Sequence, residues 1–236
     1  MKTIVTTLII CLTIQANAFT KKIRGNGNVI TVNRTTSDYE QVSVSGSFYV
    51  TLESGKEGEI VIQIEDNLAE YLITEVKDGN LKIKWKKGIQ VKTKKSIRIT
   101  VPFKHIDGVS LAGSGNIVTK NPIASHNLDL KVAGSGNMNL NVKASDLTSK
   151  VAGSGNMTLN GVTTRLECKI AGSGNFRGYE LTSRDANAVI AGSGSIHATI
   201  NGKLSVKIAG SGNVLYKGTG TTENVKIAGS GNVSKR

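Results

Sequence analysis

Lys131, Lys150, Lys169, Lys207 and Lys226 each stand two residues ahead of an Ala-Gly-Ser-Gly-Asn sequence. A cation that recurs at one place in a repeat can do one kind of chemistry. If the repeats stack, it presents a row of ammonium groups to an extended anion. Lys82, Lys84 and Lys86 form a second basic set, inside a run from 82 to 98 that holds eight cations and no acid. They alternate with Ile83 and Trp85, so one face of a strand is basic and the other apolar. The plain account of both sets is a solvated face that discourages edge pairing. The functional account is a binding surface for acidic polysaccharide, lipopolysaccharide phosphate or an anionic membrane, in keeping with a net charge of +13. Nucleic acid is not an expected partner, because aromatics able to stack on bases are nearly absent from the basic run apart from Trp85.

Residue types that catalyse reactions are not gathered by any spacing. His105, His126 and His197 fall at unrelated places. From residue 111 onward the acids are Asp129, Asp146, Glu167, Glu180, Asp185 and Glu223, with no evident pair at one position of the repeat. The Gly-x-Gly sequences are not phosphate loops, since such loops stand once between a strand and a helix. Nucleophile elbows and zinc helix motifs are missing as well. No metal and no cofactor is expected. Cys168 alternates with Leu166 and Ile170 and reads as a small inward-facing hydrophobe.

The elements that must position the lysines follow from the repeat. Ala-Gly-Ser-Gly-Asn occurs at 112–116, 133–137, 152–156, 171–175, 209–213 and 228–232, with Ser195 closing the copy at 191–195. Successive spacings are 21, 19, 19, 20, 18 and 19 residues. An apolar residue precedes each copy (Leu111, Val132, Val151, Ile170, Ile190, Ile208, Ile227) and another follows it (Ile117, Met138, Met157, Phe176, Ile196, Val214, Val233). Period-two alternation before the motif marks strands with one buried face. A unit of this length cannot bury that face alone, but stacked on its neighbours it makes a continuous core. The expected fold is all-β, a parallel β-helix of seven coils. The glycines and asparagines make its corners: Gly113, Gly115, Asn116; Gly134, Gly136, Asn137; Gly153, Gly155, Asn156; Gly172, Gly174, Asn175; Gly210, Gly212, Asn213. The asparagines, with Asn232, are expected to align as a largely buried amide ladder. Calcium-binding nonapeptide repeats are excluded, because they need an aspartate column and these motifs hold no acid.

Residues 1–18 read as a signal peptide. Lys2 supplies the charge, Ile4 to Ile14 the apolar run, and Ala16-Asn17-Ala18 the cleavage site. Residues 19–105 read as a β-rich region packed on or capping the solenoid of 106–236, a solenoid beginning near residue 23 being the alternative. Strand patterns occur at 42–52, 59–65, 81–86 and 96–101, a short helical turn near Leu68, Tyr71 and Leu72, and a hairpin turn at Asp78-Gly79. No later stretch reaches membrane-spanning length.

Several sequences occur in a fixed order: Gly25-Asn26-Gly27-Asn28, Val44-Ser45-Gly46-Ser47-Phe48, Asp66-Asn67-Leu68, Asp78-Gly79-Asn80-Leu81-Lys82-Ile83 and the Gly-Ser-Gly-Asn repeats. Together they resemble the GIN-domain family, the auto-transporter adhesin head domain, over nearly the whole chain after residue 18. The resemblance implies an exported bacterial β-helical protein and brings no catalytic residues with it. The resulting expectation is a non-enzymatic envelope or surface binding protein, adhesin-like, located in the periplasm, at the outer-membrane surface or outside the cell. Its expected ligands are anionic glycans or other envelope polyanions. Self-association through the terminal coil is a further expected contact. A structural scaffold and a carbohydrate-active β-helix enzyme are the alternatives.

Overall fold

The computed structural model describes residues 21–236. The expected signal peptide lies outside the described residues. The chain forms a parallel β-solenoid of about seven turns. Strands Asn137–Gly153, Asn156–Gly172 and Asn175–Gly192 each run from one Gly-Ser-Gly corner to the next. Along Asn137–Gly153 buried and exposed residues alternate, with one break at Ser145 and Asp146 where the strand bends between faces. Stacking is in register through whole coils: Asn137 to Gly153 pairs with Asn156 to Gly172. The inward columns are apolar except at buried Ser149, Thr163 and Ser183, and Leu140, Leu159, Met138, Met157, Leu147 and Leu166 are all within the core.

The corners explain why the motif holds two glycines. The first of each pair has positive φ, from 109° at Gly153 to 128° at Gly192, a region that side chains with a Cβ resist. The second is constrained by its neighbour coil instead. A Cβ on Gly155 would lie 2.5 Å from the carbonyl oxygen of Gly136 and 2.7 Å from Val132. Corner backbones therefore touch directly, and the amides of Ser154 and Gly155 both donate to Gly134 O at 2.9 Å.

The stack continues on the N-terminal side of the repeats, in an order the chain does not follow. Gln41–Ser45 and Tyr49–Ser54 pair in parallel with Gly108–Gly113 and Asn116–Thr119. Asn80–Trp85 and Arg98–Phe103 then stack on the other side of that coil. Two further rungs thus precede the seven, and the later in sequence lies farther out. Beyond them the pairing becomes antiparallel: Leu72–Lys77 on Asn80–Trp85 through the Asp78-Gly79 turn, Glu59–Glu65 on Arg98–Phe103, and Val29–Thr35 on Glu59–Glu65. Asp78 and Gly79 both have positive φ, as a type I′ hairpin requires. The expected helical turn is the 3-10 segment Asp66–Tyr71, which buries Leu68.

Side chains fasten this end. The Arg34 guanidinium donates to the carbonyls of Leu72 at 2.5 Å and Ala69 at 2.6 Å. Glu65, fully buried, accepts from the amides of Gly27 at 2.6 Å and Lys94 at 3.0 Å. Asn26 and Asn28 both donate to Asp66. The Gly-Asn-Gly-Asn and Asp-Asn-Leu sequences are therefore two halves of one contact. At the other end, the Lys235 ammonium lies 5.8 Å from the Tyr216 ring centroid and donates to Gly220 O at 3.1 Å.

The two glycine columns and the serine between them differ in what they tolerate. Gly155→Ala is expected to lower unfolding free energy by roughly 1–3 kcal/mol or more, because the contact is with backbone that cannot step aside. Ser154→Ala, at an exposed corner, should stay within about 0.5 kcal/mol of the parent. Urea unfolding followed by far-ultraviolet circular dichroism measures both.

Candidate functional site

The parallel register decides where each lysine goes. Lys131 pairs with Lys150, Lys150 with Lys169, Lys169 with Val189, Val189 with Lys207 and Lys207 with Lys226. In the other direction Lys131 pairs with Ser110, Ser110 with Ser43 and Ser43 with Lys82. Lys82 and the five repeat lysines therefore occupy one column across nine rungs, each rung about 4.8 Å from the next. The inward neighbours Leu130 and Val132 are buried, which turns the lysines outward.

Lys84 and Lys86 leave this column. Lys84 Nζ lies 3.0 Å from Glu75 Oε1. Lys86 sits over the Tyr71 ring at 5.8 Å from its centroid, with Lys21 at 5.6 Å. Farther along the basic run, the Lys94 amide is tied to Glu65 and Arg98 lies over Tyr49 at 5.3 Å. The run from 82 to 98 is thus spread over several contacts, and only Lys82 joins the repeat lysines.

Stacked ammonium groups repel, and two are relieved by carboxylates on their own strands. Lys131 lies 2.5 Å from Asp129 and Lys169 lies 2.7 Å from Glu167. Among the described residues, Lys150, Lys207 and Lys226 make no ion pair within 4.0 Å. A second outward column, four residues earlier, treats charge differently. It reads Asp146, Arg165, Asp185 and Lys203 on successive rungs. Arg165 grips Asp146 with two hydrogen bonds. Asp185 accepts the Lys203 amide at 3.0 Å, and Lys203 Nζ lies 2.8 Å from Glu223. Hydrogen bonds from Arg165 hold the Asp146 carboxyl below its ordinary range, and the Lys203 amide does the same for Asp185.

The asparagines align as expected but are not buried. Asn137 donates to Asn116 at 3.1 Å, Asn156 to Asn137 at 2.9 Å and Asn175 to Asn156 at 3.0 Å. Ser195 interrupts the ladder, and Asn213 pairs in register with Asn232 beyond it. Their side chains lie on the outer surface, half-exposed or exposed. Period two gives the reason: Ile117, Met138, Met157 and Phe176 directly follow and take the inward places. The ladder is a surface device that links coils.

Histidines that look unrelated in sequence are partly gathered. His105 and His126 share a hollow with Asp107, Asp129 and Asp146. His105 Nε2 lies 2.7 Å from Asp107, and Ser125 Oγ donates to the same carboxylate at 2.6 Å. Asp107 stands between serine and histidine and is shared by both. The cluster escapes a repeat-based reading because Asp107 precedes the first motif and the first spacing is two residues longer than most. His197 lies elsewhere, stacked on Tyr179 at 5.1 Å between centroids. Among the described residues, no group of three or more His, Cys, Asp or Glu is arranged to hold a metal ion.

The model of the family described as "Putative auto-transporter adhesin, head GIN domain" matches residues 38–220. The chain belongs to the GIN-domain family. Among solved structures, it is similar to a "putative adhesin" from Bacteroides fragilis NCTC 9343, with TM-score 0.84, 22% identity, and coverage of 91% of this chain and 100% of that one. A "putative lipid binding protein" from Parabacteroides distasonis ATCC 8503 superposes with TM-score 0.75 at 28% identity, covering 92% and 100%. A "putative adhesin" from Parabacteroides merdae ATCC 43184 gives 0.74 at 22% identity, covering 92% and 99%. No curated protein matches. The family description fits a surface or exported protein, and no helix among the described residues is long and apolar enough to cross a membrane.

Cys168 has no place in the site. It is buried, and burial pushes its thiol well above the ordinary range. A maleimide at mildly alkaline pH should therefore leave Cys168 unlabelled in the native protein and modify it once urea unfolds the chain. Rapid labelling of Cys168 in the folded protein, read by peptide mass spectrometry, would contradict this burial.

Proposed function

We propose that this GIN-domain protein is an exported, non-enzymatic binding module, adhesin-like, that holds anionic envelope polymers along the column of Lys82, Lys131, Lys150, Lys169, Lys207 and Lys226. One observation carries the reading. Two outward columns on the same face treat charge in opposite ways, one alternating its sign and the other keeping lysine. Packing does not require lysine there, since Ser43, Ser110 and Val189 occupy the same column. Solubility does not require it either, because the alternating column is equally polar. A row of like charges costs repulsion that an extended polyanion would relieve along its length.

A second reading, an anionic lipid surface, is supported by one local feature. Val189, Ala191 and Ala209 line a shallow hollow of about 280 Å³ with Lys207 and Lys226 beside it. The lipid-binding description of the Parabacteroides distasonis relative agrees with it.

Double charge reversal, Lys150→Glu with Lys207→Glu, should weaken binding to an acidic polysaccharide by at least about ten-fold and flatten its salt dependence. Val189→Lys, which fills the gap in the column, should strengthen it. Retention on an immobilised polyanion at low and physiological salt reads both changes. Unchanged retention in the double reversal would sink the proposal. Vesicles with and without anionic lipid, co-sedimented with the same variants, decide the second reading.

A further inference from the structure

Beside the lysine column runs a trench that the lysines alone do not explain. One hollow of about 520 Å³ is bordered by Asp146, Arg165, Asp185, Asn187, Lys203 and Ser205. A second, of about 430 Å³, continues it toward His105 and His126. Asp146 and Thr148 line both, so the two form one depression parallel to the solenoid axis. From Asn127 to Glu223 it spans five coil spacings, about 24 Å. Lys150 stands in its wall and ties it to the lysine column.

The trench differs from that column in its chemistry. Its charges are matched inside the chain: Arg165 with Asp146, Lys203 with Glu223, Lys169 with Glu167, Arg184 with Asp185. A polyanion gains little attraction from such a floor. Its donors and acceptors are nevertheless closely spaced and held by their neighbours, while Asn187 and Ser205 make no side-chain hydrogen bond among the described residues. Fixed polar groups of both kinds suit a ligand rich in hydroxyls, because each hydroxyl both donates and accepts.

We infer that the trench is a hydroxyl-binding subsite and that the polymer held by the lysine column is a linear acidic polysaccharide lying along the axis, its carboxylates toward Lys150 and Lys207 and its hydroxyls over Asn187 and Ser205. The inference rests on the polyanion reading above and goes beyond it by separating polysaccharide from anions that carry no hydroxyls, such as polyphosphate.

Three probes test it on the full mature chain: polygalacturonate, inorganic polyphosphate and neutral dextran. The trench variant is Asn187→Leu with Ser205→Leu, both outward positions, with folding checked by circular dichroism. Asn187→Ala with Ser205→Ala serves if the leucines disturb folding. Calorimetry should show the trench variant losing about ten-fold in affinity for polygalacturonate and less than about two-fold for polyphosphate. Lys150→Glu with Lys207→Glu should weaken both, and dextran should bind to none. If the trench variant leaves polygalacturonate binding unchanged, or weakens both polyanions equally, the subsite is overturned while the lysine column stands. Parent protein that binds polyphosphate but not polygalacturonate overturns the subsite too. Parent protein that binds neither, or lysine variants that change neither, overturns the polyanion reading and the subsite with it.

Discussion

Everything else in this molecule depends on backbone meeting backbone at the corners. The carbonyl of Gly134 receives two amides from the next coil, and Gly153 does the same one coil later for Ser173 and Gly174. Such a contact leaves no freedom to slide. A slip of one residue would carry each inward apolar side chain to the solvent face. The glycine pair thus fixes the register, and the register makes columns. Neither the core, the amide ladder nor the lysine row has an independent cause.

Columns have a cost that depends on what is stacked. Apolar side chains gain from it, and asparagines gain one hydrogen bond per step, each worth about 1 kcal/mol. Lysines lose. The chain offsets the loss in part by placing Asp129 and Glu167 next to alternate lysines. It also leaves three rungs to Ser43, Ser110 and Val189. At Lys150, Lys207 and Lys226 the charge has no such partner among the described residues, and there the surface is open to an outside anion.

The repeat made the solenoid legible because its cause is local. A corner that needs positive φ and tolerates no Cβ leaves glycine in the sequence at each turn. The same spacing made the lysine column legible, as a position two residues before Ala112-like alanines. Lys82's membership was hidden. Its rung belongs to the coil Asn80–Trp85 and Arg98–Phe103, where residues 86–97 replace the tight corner and no motif survives. The doubling back, by which that coil lies outside the earlier Gln41–Ser54 coil, is a tertiary choice without local sequence cost. The trench was invisible for another reason. Its residues are charged in alternation, so no single type recurs, and aligned copies look merely variable. The asparagines' hydrogen bonding suggests an interior, whereas parity with the following apolar residue sends them out.

A binding surface made of columns is only as straight as its stack, and the ends of a stack are where it frays. Both ends here use cations against backbone carbonyls. Arg34 holds the carbonyls of Ala69 and Leu72 at the antiparallel end, and Lys235 holds Gly220 O while covering Tyr216 at the other. In the strand Thr221–Ala228, the extra residue beside Leu204 and Ser205 breaks the regular edge. A bulge and an ammonium held over the Tyr216 ring both make that edge a poorer template for a further parallel strand. The positive charge of the chain therefore divides into two kinds. At the ends it is spent on backbone carbonyls and keeps the coils in line. Along the side it is left unspent, at positions whose spacing that alignment guarantees.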